Sequence, residues 1–149
     1  MKNKQSQYGK KNELNLKLVV GLARVSLQEQ RRTMRFLSDH GLTLPQFGVL
    51  EVLYHKGDLR ICEIIEKTLS TSGNMTVIIR NLELDGLVIR VPDLEDKRAH
   101  RIRITPAGTA VMDKIFPEHL LELESWASVL SDSEKENLIQ LLKKLGKRD

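Results

Sequence analysis

Ser70-Thr71-Ser72-Gly73-Asn74-Met75-Thr76-Val77-Ile78-Ile79-Arg80-Asn81-Leu82-Glu83-Leu84-Asp85-Gly86-Leu87-Val88-Ile89-Arg90-Val91 changes its periodicity halfway along, and that change decides the fold. Met75, Ile78, Ile79 and Leu82 recur at helical spacing and predict a helix with one apolar stripe. The Ser, Thr and Asn side chains at its start accept the unpaired amides of a first turn. Gly86 stands where a left-handed cap commonly ends a helix. Beyond it Leu87, Ile89 and Val91 alternate with Val88 and Arg90. After the polar stretch from Pro92 to Ala99, Ile102 and Ile104 alternate with Arg101 and Arg103, so the spacing predicts a two-stranded hairpin. Its connection is too long and polar for a tight turn and is expected to project as a mobile finger.

Working back along the chain, Thr43, Pro45 and Gln46 form a capping-box pattern that opens a helix carrying Phe47, Leu50, Val52 and Leu53. A short helix from about Ile61 to Thr68 lies between it and the decisive stretch. Helix, short helix, helix, hairpin is the order of a winged helix-turn-helix. The outer face of the last helix then consists of Ser72, Gly73, Asn74, Thr76, Val77, Arg80 and Asn81. Arginine can read guanine O6 and N7, asparagine can read adenine, and threonine can meet a thymine methyl or a phosphate. No acid appears before Glu83, so the leading turns would not repel phosphate. The competing reading is an ordinary solvated face, which usually mixes Glu and Lys; this one has neither from Ser70 to Leu82.

The finger is the second candidate element. Asp96, Lys97 and Arg98 bring both charge signs to its tip, and an acid beside an arginine can hold the guanidinium extended toward a narrow minor groove. Arg90, Arg101 and Arg103 lie on the strands and are expected to meet backbone phosphates. A salt-bridged, solvated loop is the alternative.

Outside residues 41–105, helices are expected from about Glu13 to Ser38, through Leu14, Leu18, Leu22 and Val25, and from Pro106 onward. Pro117 is expected to kink or break the latter. Ser131 and Glu134 open a last helix with Leu138, Leu141, Leu142 and Leu145. The apolar stripes of 13–40 and 106–149 exceed what a lone winged domain can cover, and a two-fold partner would cover them; the alternative is that they pack only on each other. The fold class is therefore mostly α with a small β-hairpin wing, flanked by N- and C-terminal dimerisation helices and preceded by a flexible basic tail over residues 1–12.

The chain has 149 residues, 40% hydrophobic and 30% charged, with a net charge of +4. That charge says little about DNA: Lys2, Lys4, Lys10 and Lys11 account for it, so partners must be inferred from where charges lie. No apolar run approaches the ~20 residues of a membrane span, and Met1 to Lys11 does not read as a signal peptide; the expected location is cytoplasmic, with no membrane partner. The single cysteine, Cys62, excludes a disulfide framework. It is either a redox sensor, favoured by a helix start and by Arg60, or a small buried residue. His40, His55, His100 and His119 have no metal-ligand spacing, so neither metal nor cofactor is expected. Without a GxxxxGK, HExxH or GxSxG motif, no catalytic residues are expected and the chain does not read as an enzyme. Tyr54, Phe116 and Trp126 serve either as the lining of an aromatic effector pocket or as core.

Leu42-Thr43-Leu44-Pro45-Gln46-Phe47, Leu82-Glu83-Leu84-Asp85-Gly86-Leu87-Val88-Ile89-Arg90, Asp96-Lys97-Arg98-Ala99 and Ile104-Thr105-Pro106-Ala107-Gly108, in that order, resemble the signature of the MarR family of bacterial regulators. The resemblance implies a triangular homodimer gripping a palindromic operator on double-stranded DNA, with Asp96 and Arg98 matching the wing-tip pair. It implies that Ser72, Asn74, Thr76 and Arg80 fall on the recognition helix. Arg60-Ile61-Cys62 departs from the usual Thr or Ser cap of the short helix. Leu53-Tyr54-His55-Lys56-Gly57 and Met112 to His119 are similar to the MhqR-like branch, which represses quinone- and phenol-detoxification genes. The function expected is a DNA-binding regulator, a repressor released by a small phenolic, quinone-like or oxidant effector. The alternative is a winged-helix module for protein assembly or non-specific DNA architecture.

Overall fold

Thr43 opens α2 (Leu44–Lys56) as the capping box requires: its hydroxyl accepts the Gln46 amide at 3.3 Å while the Gln46 side chain accepts the Thr43 amide at 3.0 Å. The computed structural model describes residues 8–68, 72–96 and 98–146, apart from the side chains of Ser72 and Gly73. The tail up to residue 7, Ser70, Thr71 and Lys97 lie outside the described residues. Around α2 the order is α1 (Gly9–Asp39), α3 (Ile61–Lys67), α4 (Ser72–Leu84), β1 (Val88–Pro92), β2 (His100–Ile104), α5 (Pro106–Ala127) and α6 (Asp132–Gly146). Residues up to Thr109 form one compact unit and those from Ala110 onward a second.

In the first unit Phe47, Val49, Leu50 and Leu53 of α2, Ile64 of α3, and Met75, Ile78, Ile79 and Leu82 of α4 are buried, together with Val88 and Ile102 of the hairpin. The apolar stripe expected on α4 is thus its buried side. The helix ends in a Schellman turn: the Leu87 amide donates to Leu82 O at 2.9 Å and the Gly86 amide to Glu83 O at 3.0 Å. Gly86 takes φ 71° there, a left-handed conformation that costs a side-chain-bearing residue strain. This turn delivers the chain directly into β1.

β1 and β2 pair antiparallel, with Val88 opposite Ile104 and Pro92 opposite His100. Pro92 and His100, expected in the connection and just outside it, therefore belong to the ladder. A third segment joins them: Leu59 exchanges two backbone hydrogen bonds with Ile102, at 2.7 and 3.1 Å. The root of the expected mobile finger is also pinned, because the Asp93 amide donates to Ala99 O at 3.1 Å and the Ala99 amide to Asp96 O at 2.9 Å.

Two helix expectations need correction. α1 begins at Gly9, four residues ahead of Glu13, so part of the expected flexible tail is helical. Pro117 does not break α5, which runs unbroken from Pro106 to Ala127. Proline removes one amide donor, but the hydrogen bonds of the turns on either side are enough to carry the helix through it. In the second unit Met112 and Ile115 are buried, whereas α6 buries none of its residues. Glu134 accepts the Ser131 amide at 2.8 Å, so the expected cap of α6 is present, and those hydrogen bonds hold the Glu134 carboxyl below its ordinary range.

Candidate nucleic-acid interface

With Met75, Ile78, Ile79 and Leu82 turned inward, Asn74, Thr76, Val77, Arg80 and Asn81 face solvent along one side of α4, Val77 at 53% exposure. Ser72 and Gly73 occupy the first turn, their side chains outside the described residues. That turn contains no acid, so no carboxylate within it opposes an anion drawn to the positive end of the helix dipole. The Arg80 guanidinium has no ion pair or hydrogen bond to a described residue.

At the wing the arginines divide into two groups. Arg98 is exposed and its guanidinium is likewise without a partner among the described residues. Asp96 does hold Arg98, but through the backbone: its carboxylate accepts the Arg98 amide at 3.0 Å. That contact orients the residue and leaves the guanidinium free to reach outward. Leu94 is 97% exposed on the same loop, and Lys97 lies outside the described residues.

The strand arginines are all engaged. Arg90 donates to Glu83 at 3.0 Å. Arg103 makes a fork with Asp58, through Nε at 2.9 and 3.0 Å and through Nη2 at 2.5 Å, and this pairing raises its pKa. Arg101 donates from Nε to Asp93 at 2.8 Å and from Nη1 to Asp58 O at 3.2 Å. A phosphate would have to compete with these partners, so Arg101 and Arg103 hold the wing together before they could hold DNA.

Asp93, Asp58, Arg60 and Glu63 did not stand out as site residues in the sequence. The Asp93 side chain is fully buried. Its Oδ2 accepts Arg60 Nε at 2.7 Å as well as Arg101, and its Oδ1 accepts the amides of Glu95 at 2.9 Å and Asp96 at 3.1 Å. The Arg60 guanidinium first, then the Glu95 amide, hold the Asp93 carboxyl well below the usual carboxylate range, against the opposing effect of burial. The same pair raises the Arg60 pKa. A depressed carboxylate stabilises the fold above its unfolded pKa of roughly 3.9, and that contribution is lost as pH falls below it toward the folded value. Urea midpoints of the native chain should therefore fall more steeply between about pH 4 and pH 2 than those of Asp93→Asn; parallel curves would show that Asp93 has no such role.

Cys62 is exposed, so the small-buried-residue reading does not hold. Tyr54 stacks edge-on with His55, and Phe116 lies beside His119. A cleft of about 490 Å³ opens between Glu29 and Gln30 of α1, Leu44 to Val52 of α2, and Lys67-Thr68, and none of the three aromatics lines it. Among the described residues no cluster suits a metal ion, and no helix is long and apolar enough to cross a membrane.

Residues 42–100 match the MarR family model. The chain is 37% identical over 134 residues to the HTH-type transcriptional regulator MhqR of Bacillus subtilis (strain 168), covering 90% of this chain and 92% of that one. Among solved structures it is similar to MepR of S. aureus in complex with DNA, with TM-score 0.76, 22% identity and coverage of 85% and 94%. It is also similar to the organohalide-sensing regulator RdhR in its 2,4-dichlorophenol-bound form, with TM-score 0.78, 22% identity and coverage of 89% and 79%. MhqR and RdhR are named as transcriptional regulators, which are not enzymes. A helix-turn-helix with a paired wing, and a relative this similar over nine-tenths of the length, lead to one conclusion: the chain belongs to the MarR family and is a DNA-binding transcriptional regulator.

Proposed function

We propose that this protein is a homodimeric repressor that reads a palindromic operator with α4 and the wing, and that a small phenolic, quinone-like or oxidant effector releases it. The observation that carries the DNA reading is the outer side of α4, free of acid from Asn74 up to Glu83, with Arg80 on it and Arg98 on the neighbouring wing, both unpaired among the described residues. Asn74, Thr76, Val77 and Asn81 complete a surface of small polar and methyl groups suited to base edges. Ser72 and Gly73 are assigned to the same surface, where their amides at the helix start would meet phosphate. Arg90, Arg101, Arg103, Asp96 and Lys97 supply or brace the wing contacts.

Self-association is supported by apolar side chains left in water. Leu14, Leu18 and Val25 of α1 are each at least half exposed, and Leu138, Leu141, Leu142 and Leu145 of α6 are exposed as well. A second copy would cover these faces and set two recognition helices roughly 10 base pairs apart. The effector class is supported by the likeness to MhqR and by the dichlorophenol held in the RdhR structure. A cleft of 490 Å³ is within the size range of small-molecule sites. An effector that binds one spacing of the recognition helices better than the other lowers DNA affinity by that difference.

The test is a titration of the DNA upstream of its own gene against an unrelated duplex, with and without phenols, quinones and oxidants. A specificity ratio of ~10³ or more is expected, with a rise in Kd on adding an active effector. Arg80→Ala should relax base preference more than Arg101→Ala, whose guanidinium already serves Asp93 and Asp58. Steep salt dependence without sequence preference would favour an architectural role instead. If Cys62→Ser keeps the full response to oxidants, a thiol switch at that position is excluded.

A further inference from the structure

Three consecutive residues ahead of α3 fasten the wing. Asp58 takes Arg103 with its carboxylate and Arg101 with its carbonyl, Leu59 forms the backbone bridge to Ile102, and Arg60 donates to Asp93 across 33 residues of sequence. From Arg60 the contacts continue without a gap to the wing tip. Arg60 Nε meets Asp93 Oδ2 at 2.7 Å, Asp93 Oδ1 accepts the Asp96 amide at 3.1 Å, and Asp96 Oδ1 accepts the Arg98 amide at 3.0 Å. Both carboxylates hold the loop in place, one from inside the protein and one at its surface.

Arg60 is an odd choice for its position. It is the N-cap residue of α3, where Ser, Thr, Asp or Asn would accept an amide of the first turn. A guanidinium has no acceptor. The cap is served only in part, by Glu63 accepting the Arg60 amide at 2.7 Å, while the Arg60 side chain turns away to the wing. The position has given up a helix cap for a tether.

We propose that Arg60 is a positioning residue for DNA binding: acting through Asp93 and Asp96, it fixes the attitude of the wing loop so that Arg98 enters the minor groove. The inference rests on the reading of the wing as a DNA-contacting element. Because Asp93 also holds Arg101, removing Arg60 leaves the buried carboxylate paired and the unit folded. Arg60→Thr is the informative variant, since threonine restores a cap acceptor while cutting the tether.

The experiment measures Kd for the native chain, Arg60→Thr, Arg60→Lys, Arg98→Ala and Arg60→Thr/Arg98→Ala on the duplex that the native chain selects from a random-sequence pool. Arg60→Thr should weaken binding about 5- to 20-fold at a temperature where circular dichroism shows it still folded, although the lost Asp93 pairing lowers its melting temperature, and Arg60→Lys should recover part of the loss. The double variant should bind no more weakly than Arg98→Ala alone, because the tether works only through Arg98. Amide exchange at Asp96 and Arg98 should speed up in Arg60→Thr. If the two losses multiply, Arg60 touches DNA independently and the positioning role is wrong. If Arg98→Ala weakens binding while Arg60→Thr does not, the tether is irrelevant and the wing reading survives. If Arg98→Ala has no effect, the wing reading falls and takes this inference with it.

Discussion

An Arg98→Ala variant is expected to lose about 1–3 kcal/mol of operator affinity, roughly a 5- to 150-fold rise in Kd. The expectation follows from how the wing uses its arginines. Arg90, Arg101 and Arg103 are committed to Glu83, Asp93 and Asp58, so removing one of them first disturbs the protein. Arg98 has its backbone held by Asp96 and its guanidinium without a partner among the described residues, so its removal costs the fold little and takes a cation from the DNA. The narrow, A·T-rich minor groove concentrates negative potential, and the loss should therefore be largest on operators with A·T-rich flanks. An unchanged Kd on such DNA, measured by fluorescence anisotropy at fixed salt, would remove Arg98 from the interface.

Leu82→Ala is expected to cost about 2–5 kcal/mol of stability, the range for deleting a fully buried leucine. Leu82 has no solvent exposure, and its carbonyl accepts the Leu87 amide that turns α4 into β1. A cavity there loosens both the seat of the recognition helix and the start of the wing. Thr76→Ala, on the opposite face, should change stability by no more than about 0.5 kcal/mol while weakening DNA binding. Urea denaturation separates the two. A Leu82→Ala cost below about 0.5 kcal/mol would mean that the inner face of α4 does not support the recognition helix.

The stripe on α4, the Gly86 turn and the alternation of β1 and β2 were legible in the sequence because each depends on local spacing. So were the caps at Thr43 and Ser131, whose partners lie three residues away. What local pattern cannot carry is pairing over distance. Leu59 reads as one apolar residue between two charges, and nothing nearby says that Ile102 completes its backbone hydrogen bonds. Asp93 reads as one of several acids in a polar loop, and its burial depends on Arg60 and Arg101 arriving from 33 and 8 residues away. The alternation of Arg101 and Arg103 is plain in the sequence, but alternation gives a side chain's direction and says nothing of its partner. The one available hint was Arg60 standing where a cap residue belongs. Pro117 shows the converse: a strong local signal overridden by the helix around it.

The most direct measurement is methylation protection at guanine N7, combined with hydroxyl-radical cleavage, on the duplex this protein selects. Two protected major-groove segments centred about one helical turn apart are expected, each flanked by a protected stretch of minor groove, with Arg80→Ala uncovering guanines in the former and Arg98→Ala the latter. Protected sugars with every guanine N7 still open to methylation would contradict that expectation, because the outer side of α4 would then not be reading bases.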